Sequence, residues 1–270
     1  MSFPDLEKLK SLVKVAAKEE LLKDFGHSKF EYKDDGSVVT PADMAMQSRL
    51  EIELNQYWPM YGMLGEEMTD EAQLAVIDQA AMKKTKGYWC IDPLDGTSNY
   101  AAGLPFFAVS IALIIDNQQQ LGLIYDPVRD EMFSAIKGQG AYFNDKRLDY
   151  SQMNFAKNKP IIAEIDLKRL SEKLTVKLVT ERIFASQRNI GSAAIDWCWM
   201  ATGRFDIYLH GGQKLWDYAA GSLIFSEAGG HSISLDNEAV FRGQLEVRSA
   251  LACFDKDLFD YWYHWIGIKS

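Results

Sequence analysis

Three apolar segments of the chain end in acidic residues, so carboxylates stand at the edge of any sheet that these segments form. The acids are Glu66 after the first segment, Asp92 and Asp95 after the second, and Asp217 after the third. A proline turn between Asp92 and Asp95 lets both carboxylates reach one point, with the carbonyl of Leu94 exposed between them. Carboxylates and a backbone carbonyl form an oxygen-only ligand set, which suits Mg²⁺. Convergent like charges repel strongly without an ion, so their convergence predicts a bound cation.

The residues after Asp95 provide the second half of a catalytic site. Gly96 permits close approach of the backbone, and Thr97 supplies a hydroxyl beside the metal ligands that can orient a water. If a helix or turn begins there, its free N–H groups can receive a phosphate. Bound metals, an oriented water and a phosphate site together indicate a phosphoester hydrolase that uses two-metal chemistry.

Each of these signals has a purely structural alternative when it is taken alone. An Asp-Gly pair is usually a turn, and adjacent acids such as Glu66 and Glu67 usually lie on a solvated loop. Asp217 also suits the first turn of a helix, where the helix dipole stabilises an acid. Asp43 suits a capping box. The joint pattern of acids, rather than any single pair, therefore supports the metal site.

Hydrophobic periodicity and turn residues predict the elements that position these groups. The first helix begins near Leu6 and stops near Gly26, and Thr40 caps a second helix that runs to about Asn55. The other predicted elements are strands at 88–91, 106–115, 121–125, 131–135, 161–165, 205–209 and 247–252 and near 233, helices at 192–201 and 217–227, and an aromatic final helix. That final helix packs on the core or forms an interface. Helices, then a meander, then a mixed half indicate a layered α+β architecture rather than a doubly wound sheet.

Composition and charge exclude several classes of protein. The 270 residues include 38 acidic and 29 basic side chains, for a formal charge of −9. This acidic excess argues against direct nucleic-acid binding, which needs a cationic face. No apolar run approaches the roughly 20 residues that cross a bilayer, and residues 1–8 show no signal-peptide pattern. Three cysteines without a CxxC pair predict buried free thiols in a reducing compartment, so we expect a cytoplasmic protein.

Six motifs occur along the chain in a defined order. They are TPAD at 40–43, LGEE at 64–67, WCIDPLDGTSNY at 89–100, GSAA at 191–194, GRFD at 203–206, and WDYAAG at 216–221 continuing to EAGG at 227–230. This set closely resembles the inositol monophosphatase family, over residues 5–265. The resemblance implies one domain over residues 1–270 with an α+β fold, the layered αβαβα sandwich of the inositol monophosphatase and fructose-1,6-bisphosphatase type. Its N-terminal half, about 1–150, would carry most metal ligands, and its C-terminal half, about 151–270, would carry Asp217 and the substrate pocket.

The resemblance also implies roles for individual residues. Two to three Mg²⁺ ions would be held by Glu66, Asp92, the carbonyl of Leu94, Asp95 and Asp217. Glu66 and Thr97 would orient and deprotonate the attacking water, with support from Asp43. The phosphate and the rest of the substrate would contact Asp95, Gly96, Thr97, Ala194, His210 and Asp217. Inhibition by lithium, a homodimer and no membrane association are further implications.

Two positions, His210 and Lys33, each allow two interpretations, one concerning the substrate and one concerning a loop near the site. His210 lies seven residues before Asp217, where inositol-preferring members carry a glutamate that bonds a substrate hydroxyl. A histidine can bind a hydroxyl or a second anionic group, and the alternative is a loop residue outside the pocket. Lys33 precedes Asp34 and Asp35 in a polar loop. This loop is either a mobile lid that assists metal or phosphate capture or a solvated surface segment.

The resemblance implies a Mg²⁺-dependent phosphomonoesterase that hydrolyses a small phosphorylated polyol or sugar, such as inositol 1-phosphate, by metal-activated water. Alternatives on the same fold are fructose-1,6-bisphosphatase, nucleotide 3′-phosphatase, NADP phosphatase and histidinol phosphatase. The non-enzymatic alternative is a protein-binding role in RNA synthesis, which some bacterial relatives have. The intact set of acids favours retained catalysis and leaves room for a second role.

Overall fold

The computed structural model describes residues 3–33, 36–149, 160–181 and 183–268. The helices in this part of the chain are α1 (Leu6–Glu20), α2 (Pro41–Tyr57), α3 (Asp70–Ala81), α4 (Thr97–Ala101), α5 (Glu172–Thr180), α6 (Ala193–Ala201), α7 (Leu215–Glu227) and α8 (Lys256–Ile266). A short antiparallel pair, β1 (Glu31–Tyr32) and β2 (Val38–Val39), precedes α2.

A seven-stranded sheet is built mainly from the predicted meander. Its strands, in spatial order, are β3 (Gly62–Gly65), β4 (Tyr88–Asp95), β5 (Ala108–Ile115), β6 (Gln118–Asp126), β7 (Glu131–Ile136), β8 (Gly140–Phe143) and β9 (Lys146–Arg147). β3 and β4 run parallel, and each later pair of neighbours is antiparallel. Every residue of β4 is buried, as expected for a strand that is covered on both faces.

A five-stranded mixed sheet forms the second β layer. Its strands are β10 (Ile162–Asp166), β11 (Ser186–Arg188), β12 (Ile207–Gln213), β13 (His231–Ile233) and β14 (Arg248–Cys253), in the spatial order β11-β10-β12-β14-β13. β10 runs parallel to β11 and β12, and β14 runs antiparallel to its neighbours. The predicted change from a meander to a mixed half is therefore confirmed.

Three apolar cores join the sheets and helices into five layers. Leu50 of α2 belongs to the core that covers the outer face of the seven-stranded sheet. Trp197 of α6 belongs to the core between the two sheets, and Trp262 of α8 belongs to the core on the far side of the five-stranded sheet. Along β12, Ile207 faces that far core and Tyr208 faces the core between the sheets, because strand side chains alternate. The resulting αβαβα order confirms the predicted α+β sandwich.

Several element boundaries differ from those predicted. α1 ends at Glu20 rather than near Gly26, because the N–H groups of residues 21 and 22 both bond the Ala17 carbonyl and close the helix. α7 begins at Leu215, earlier than predicted, so Asp217 lies in its first turn. α3, α5 and β11 are not among the elements predicted from the sequence, although Thr69 and Ser171 are ordinary N-caps for the two helices.

The three cysteines are free and buried, as predicted: Cys90, Cys198 and Cys253. Burial raises the pKa of each thiol well above its ordinary value. Among the helices of the described residues, none has the length and apolar character needed to cross a membrane.

Candidate active site

The carboxyl end of β4 contains a β-bulge, and two predicted metal ligands flank it. Asp92 pairs with Ser110 of β5, whereas Asp95 pairs with Ala108, so β4 has one extra residue between the two pairs. A bulge of this kind redirects the side chains on either side of it. The prediction that β4 ends at Asp92 in a proline turn is therefore wrong. The strand continues to Asp95, and the bulge brings the two carboxylates together.

Asp217 completes a cluster of three carboxylates. Oxygen atoms of Asp92, Asp95 and Asp217 lie within 4.8 Å of one another. The first turn of α7 holds Asp217 in place, since its Oδ2 accepts a hydrogen bond of 2.7 Å from the Lys214 N–H. In the part of the chain that the structure describes, no lysine or arginine forms an ion pair with these three acids. Convergent carboxylates without a protein cation fit a divalent ion such as Mg²⁺.

Burial raises the pKa of every carboxyl in this cluster. For Asp92 the pKa rises well above its ordinary value, and the charges of Glu66, Asp95 and Asp217 raise it further. Burial likewise raises the pKa of Asp95 to about 6, and the pKa of Asp217 well above its usual range. The three groups therefore resist simultaneous ionisation, and a bound cation would relieve this repulsion.

Glu66 lies directly after β3, lines the same cavity as the three aspartates and contacts Lys33. The Nζ atom of Lys33 lies 3.2 Å from Oε1 of Glu66 and 2.7 Å from Oε1 of Glu67. Burial raises the pKa of Glu66 to about 7, and the charge of Lys33 opposes this rise. Lys33 thus contacts the acidic pair, while its described neighbours in the loop, Tyr32 and Gly36, are exposed. The residues that follow it in the predicted loop, Asp34 and Asp35, lie outside the described residues.

Thr97 links the metal-ligand region to α2. Its Oγ1 lies 3.0 Å from Oδ1 of Asp43 and 3.0 Å from the Leu94 carbonyl oxygen. Asp43 is fixed in turn, because its Oδ2 accepts hydrogen bonds from the N–H and the hydroxyl of Thr40, at 2.7 and 2.6 Å. The predicted capping box of α2 is present, and it directs the Asp43 carboxylate at Thr97.

Gly96 turns the chain from β4 into α4 in a conformation that favours glycine. Its φ is +95°, and a Cβ atom at this position would lie 2.7 Å from the Phe106 carbonyl oxygen. Gly96 and Thr97 line the same cavity as the carboxylates. The contact of their N–H groups with a phosphate stays a prediction.

The start of α6 holds Asp95. Its Oδ2 accepts hydrogen bonds from the Ser192 hydroxyl and from the Ala194 N–H, the latter at 2.7 Å. The prediction that Ala194 lies along the ring side of the substrate is wrong for its side chain, which α6 directs into the core between the sheets. Ser192, Ala193 and Asp196 line the cavity instead. Ser192 was missed as a site residue, although its position as the α6 N-cap in the GSAA motif is a usable signal.

Most of the predicted site residues line one cavity of about 250 Å³. Those in its lining are Glu66, Asp92, Leu94, Asp95, Gly96, Thr97, His210 and Asp217. Asp43 lies behind Thr97 and reaches the cavity only through that hydroxyl. The five-stranded sheet contributes a wall that the sequence analysis does not identify, which contains Asp166, Lys168 and Arg169.

His210 lies on the cavity wall, so the alternative of a loop residue outside the pocket is wrong. Its Nδ1 accepts a hydrogen bond of 3.0 Å from the Gly212 N–H, and its Nε2 lies 3.6 Å from Oδ2 of Asp166. Burial lowers the pKa of His210 to about 4. The imidazole is therefore neutral at neutral pH, with its proton on Nε2, and it offers hydrogen bonding rather than positive charge.

Fold and site together define a class: an αβαβα sandwich with a buried carboxylate cluster at a sheet edge, suited to divalent metal ions. The chain belongs to the inositol monophosphatase family, whose sequence model matches residues 5–258. This membership confirms the resemblance carried by the ordered motifs.

Individual relatives and structures agree with this membership. Inositol monophosphatase 1 of Solanum lycopersicum is 35% identical over 207 residues, which cover 74% of this chain and 72% of the relative. Nus factor SuhB of Escherichia coli is 32% identical over 239 residues, which cover 84% of this chain and 86% of the relative. The solved structure of extragenic suppressor protein suhB from Bartonella henselae is similar with a TM-score of 0.80, at 27% identity, over 97% of this chain and 98% of that one. The fold is thus shared across nearly the whole chain.

Proposed function

We propose that this protein is a Mg²⁺-dependent phosphomonoesterase that acts on a small phosphorylated polyol or sugar. The observation that carries this proposal is the cluster of Asp92, Asp95 and Asp217, with oxygen atoms within 4.8 Å of one another in a cavity that Gly96 and Thr97 also line. Family membership supports the same class of reaction, since the tomato relative is named an inositol monophosphatase.

The ligands for two to three Mg²⁺ ions would be Glu66, Asp92, the Leu94 carbonyl, Asp95 and Asp217. When bound, the ions supply positive charge for the phosphate and lower the pKa of a bound water. The protein holds its ligands in place beforehand: Asp95 through α6 and Asp217 through the Lys214 N–H. Such support keeps the carboxylates in position while substrates enter and leave.

Thr97, Asp43 and Glu66 would position the attacking water and receive its proton. When the Thr97 hydroxyl donates to Asp43, its oxygen lone pairs remain free to accept a hydrogen bond from water. Burial raises the pKa of Glu66 to about 7 in the metal-free protein, and a bound Mg²⁺ would favour the ionised carboxylate, which can accept a proton from the water. The water oxygen forms a bond to phosphorus and gives its proton to Glu66 while the ester P–O bond breaks. The polyol oxygen takes up a proton from solvent, so the polyol leaves as an alcohol without a covalent enzyme intermediate.

The size of the cavity favours a small substrate. Its volume of about 250 Å³ lies below the roughly 300–1,000 Å³ of sites that hold drug-sized ligands. A phosphorylated sugar or polyol suits this volume better than NADP does. Fructose 1,6-bisphosphate, nucleotide 3′-phosphates and histidinol phosphate are the alternative substrates of the same site.

Asp95→Asn tests this proposal, because asparagine keeps an acceptor for the Ser192 hydroxyl and the Ala194 N–H but removes the charge. Phosphate release would be measured with Mg²⁺ or EDTA on inositol 1-phosphate and on a panel of hexose phosphates. We expect wild-type hydrolysis of at least one compound only with Mg²⁺, and a loss of about 10³-fold in kcat for the variant. Asp78→Asn, on the exposed surface of α3, is the matched control and should keep the wild-type rate. A near-normal rate for Asp95→Asn with Mg²⁺ would overturn the assignment.

A second candidate function is a protein-binding role in RNA synthesis. It is favoured by the Escherichia coli relative, which is named a Nus factor. A binding role should survive the loss of a metal ligand, so Asp95→Asn should still capture partner proteins as well as the wild type does. If the variant lost activity and binding together, the separate role would be excluded.

A further inference from the structure

The wall of the cavity formed by the five-stranded sheet presents two cations on one turn. Residues 167–170 follow β10 and form a β-turn in which the Leu170 N–H bonds the Leu167 carbonyl at 3.3 Å. We call these four residues the basic turn. Lys168 and Arg169 line the same cavity as Asp95 and Asp217, and both side chains are exposed.

Contacts at both ends fix the position of the basic turn. The Lys168 N–H donates to Oδ1 of Asp166 at 2.6 Å, and Nη1 of Arg169 donates to the Gly212 carbonyl at 2.9 Å. Arg169 has a φ of +62°, which is uncommon for a residue with a side chain. A conformation of this kind persists only where surrounding contacts hold it.

Two glycines of β12 let the basic turn approach this closely. A Cβ atom on Gly211 would lie 2.4 Å from the Lys168 carbonyl oxygen, and one on Gly212 would lie 2.9 Å from Cδ of Arg169. Any larger residue at either position would push the basic turn away from the cavity. The backbone of β12 is therefore built to accept it.

The two positive charges have no acidic partner. Among the described residues, neither Lys168 nor Arg169 forms an ion pair with a carboxylate, and the partner of the Arg169 guanidinium is a neutral carbonyl. Asp166 lies next to them, but its Oδ1 bonds the Lys168 backbone rather than the ammonium group. Both cations line the cavity that also contains the Asp217 carboxylate. The positive charges of Lys168 and Arg169 are therefore available to an anionic group of a substrate in the cavity.

We propose that the basic turn binds a second phosphate group of the substrate, so that the preferred substrate is a small sugar or polyol carrying two phosphates. This inference rests on the proposed function and specifies its substrate class. Guanidinium and ammonium groups on one turn suit the charge of a phosphate, and the planar guanidinium also suits its oxygen geometry. A polyol without a second anion would leave both cations unused. His210 cannot supply this charge, because its ring is neutral at neutral pH.

Matched substrates that differ only in a second anion test the inference. The first pair is glucose 1-phosphate and glucose 1,6-bisphosphate, and the second is glycerol 2-phosphate and 2-phosphoglycerate, which adds a carboxylate. We expect kcat/KM of the wild type to favour the bisphosphate by about tenfold or more over the monophosphate. Lys168→Gln and Arg169→Gln should each reduce this preference several-fold, mainly through KM of the bisphosphate.

Lys173→Gln is the matched control, because it removes the same charge from the exposed surface of α5 outside the cavity and should keep the wild-type preference. Arg169→Gln also removes the bond to Gly212, so thermal unfolding would check its fold. Lys168→Gln has no such risk, since its ammonium group bonds no other described residue.

Five outcomes separate this inference from the proposed function. A preference for the bisphosphate that falls in the Lys168 and Arg169 variants supports the inference. An unchanged preference in both variants overturns it, as does equal kcat/KM for the two glucose phosphates, although hydrolysis of either would leave the phosphomonoesterase intact. A preference confined to 2-phosphoglycerate overturns the phosphate specificity in favour of a carboxylate. Failure to hydrolyse any of the four compounds with Mg²⁺ counts against the proposed function itself.

Discussion

Asp95→Asn should stabilise the Mg²⁺-free protein at neutral pH, although it removes a proposed metal ligand. Asp95 lies buried in a cluster with Asp92 and Asp217, with oxygen atoms within 4.8 Å of one another. Asparagine retains the carbonyl oxygen that accepts from Ser192 and Ala194, so the variant loses charge and keeps its hydrogen bonds. The cost of burying an ionised carboxylate at this position in the metal-free protein should then disappear.

The expected size of this effect follows from the pKa of Asp95, about 6 in the folded protein against an ordinary value of 3.8. Each unit of difference corresponds to about 1.4 kcal/mol, so ionised Asp95 destabilises the folded state by about 3 kcal/mol. The folded protein binds this proton more tightly than the unfolded chain does. The penalty is therefore absent below about pH 4, grows as the pH rises, and is complete above about pH 6. For a protein of this length, about 3 kcal/mol shifts Tm by roughly 6–12 °C.

Thermal unfolding of the wild type and Asp95→Asn in EDTA would measure this effect. At about pH 8 the variant should have the higher Tm, and near pH 5 the difference should fall to about half. With saturating Mg²⁺ the order should reverse, because only the wild type gains the full binding free energy. Asp78→Asn should follow the wild type throughout. If Asp95→Asn in EDTA were no more stable than the wild type at about pH 8, the predicted cost of burying the ionised Asp95 carboxylate would be refuted.

Three further predictions concern single groups of the site and core. In the phosphate-release assay, Thr97→Val should lower kcat by about 10²-fold or more with little change in KM, because it removes the hydroxyl that Asp43 positions. Thr97→Ser keeps a hydroxyl and should keep most of the rate. Gly96→Ala should reduce the free energy of unfolding in urea by about 1–3 kcal/mol, since its φ of +95° and the nearby Phe106 carbonyl disfavour a Cβ atom; an unchanged value would contradict this. Iodoacetamide should modify Cys90, Cys198 and Cys253 in urea but not in the native protein, because burial raises the pKa of these thiols and blocks access to them. Rapid labelling of the native protein would show that at least one of the three thiols is exposed.

Features that depend on neighbouring residues were predictable from the sequence. Thr40, Pro41 and Asp43 specify the start of α2 by capping, and the structure contains that capping box. The strands from β4 to β7 follow from apolar runs between turns, and hydrophobic periodicity separates the helical from the strand regions. The acids after these apolar runs predicted the metal site, because a carboxylate that directly follows a buried strand is held at the edge of the sheet.

The tertiary structure decided how those local features meet. The bulge in β4 depends on its pairing with β5, and no spacing of Asp92 and Asp95 reveals it. Ala194 belongs to a motif of the site, yet the packing of α6 between the sheets buries its side chain. Lys168 and Arg169 read as an ordinary basic pair along the chain. They line the cavity only because β12 lies beside β10 and carries glycines where the basic turn crosses it, and contacts between distant segments leave no periodic trace in the sequence.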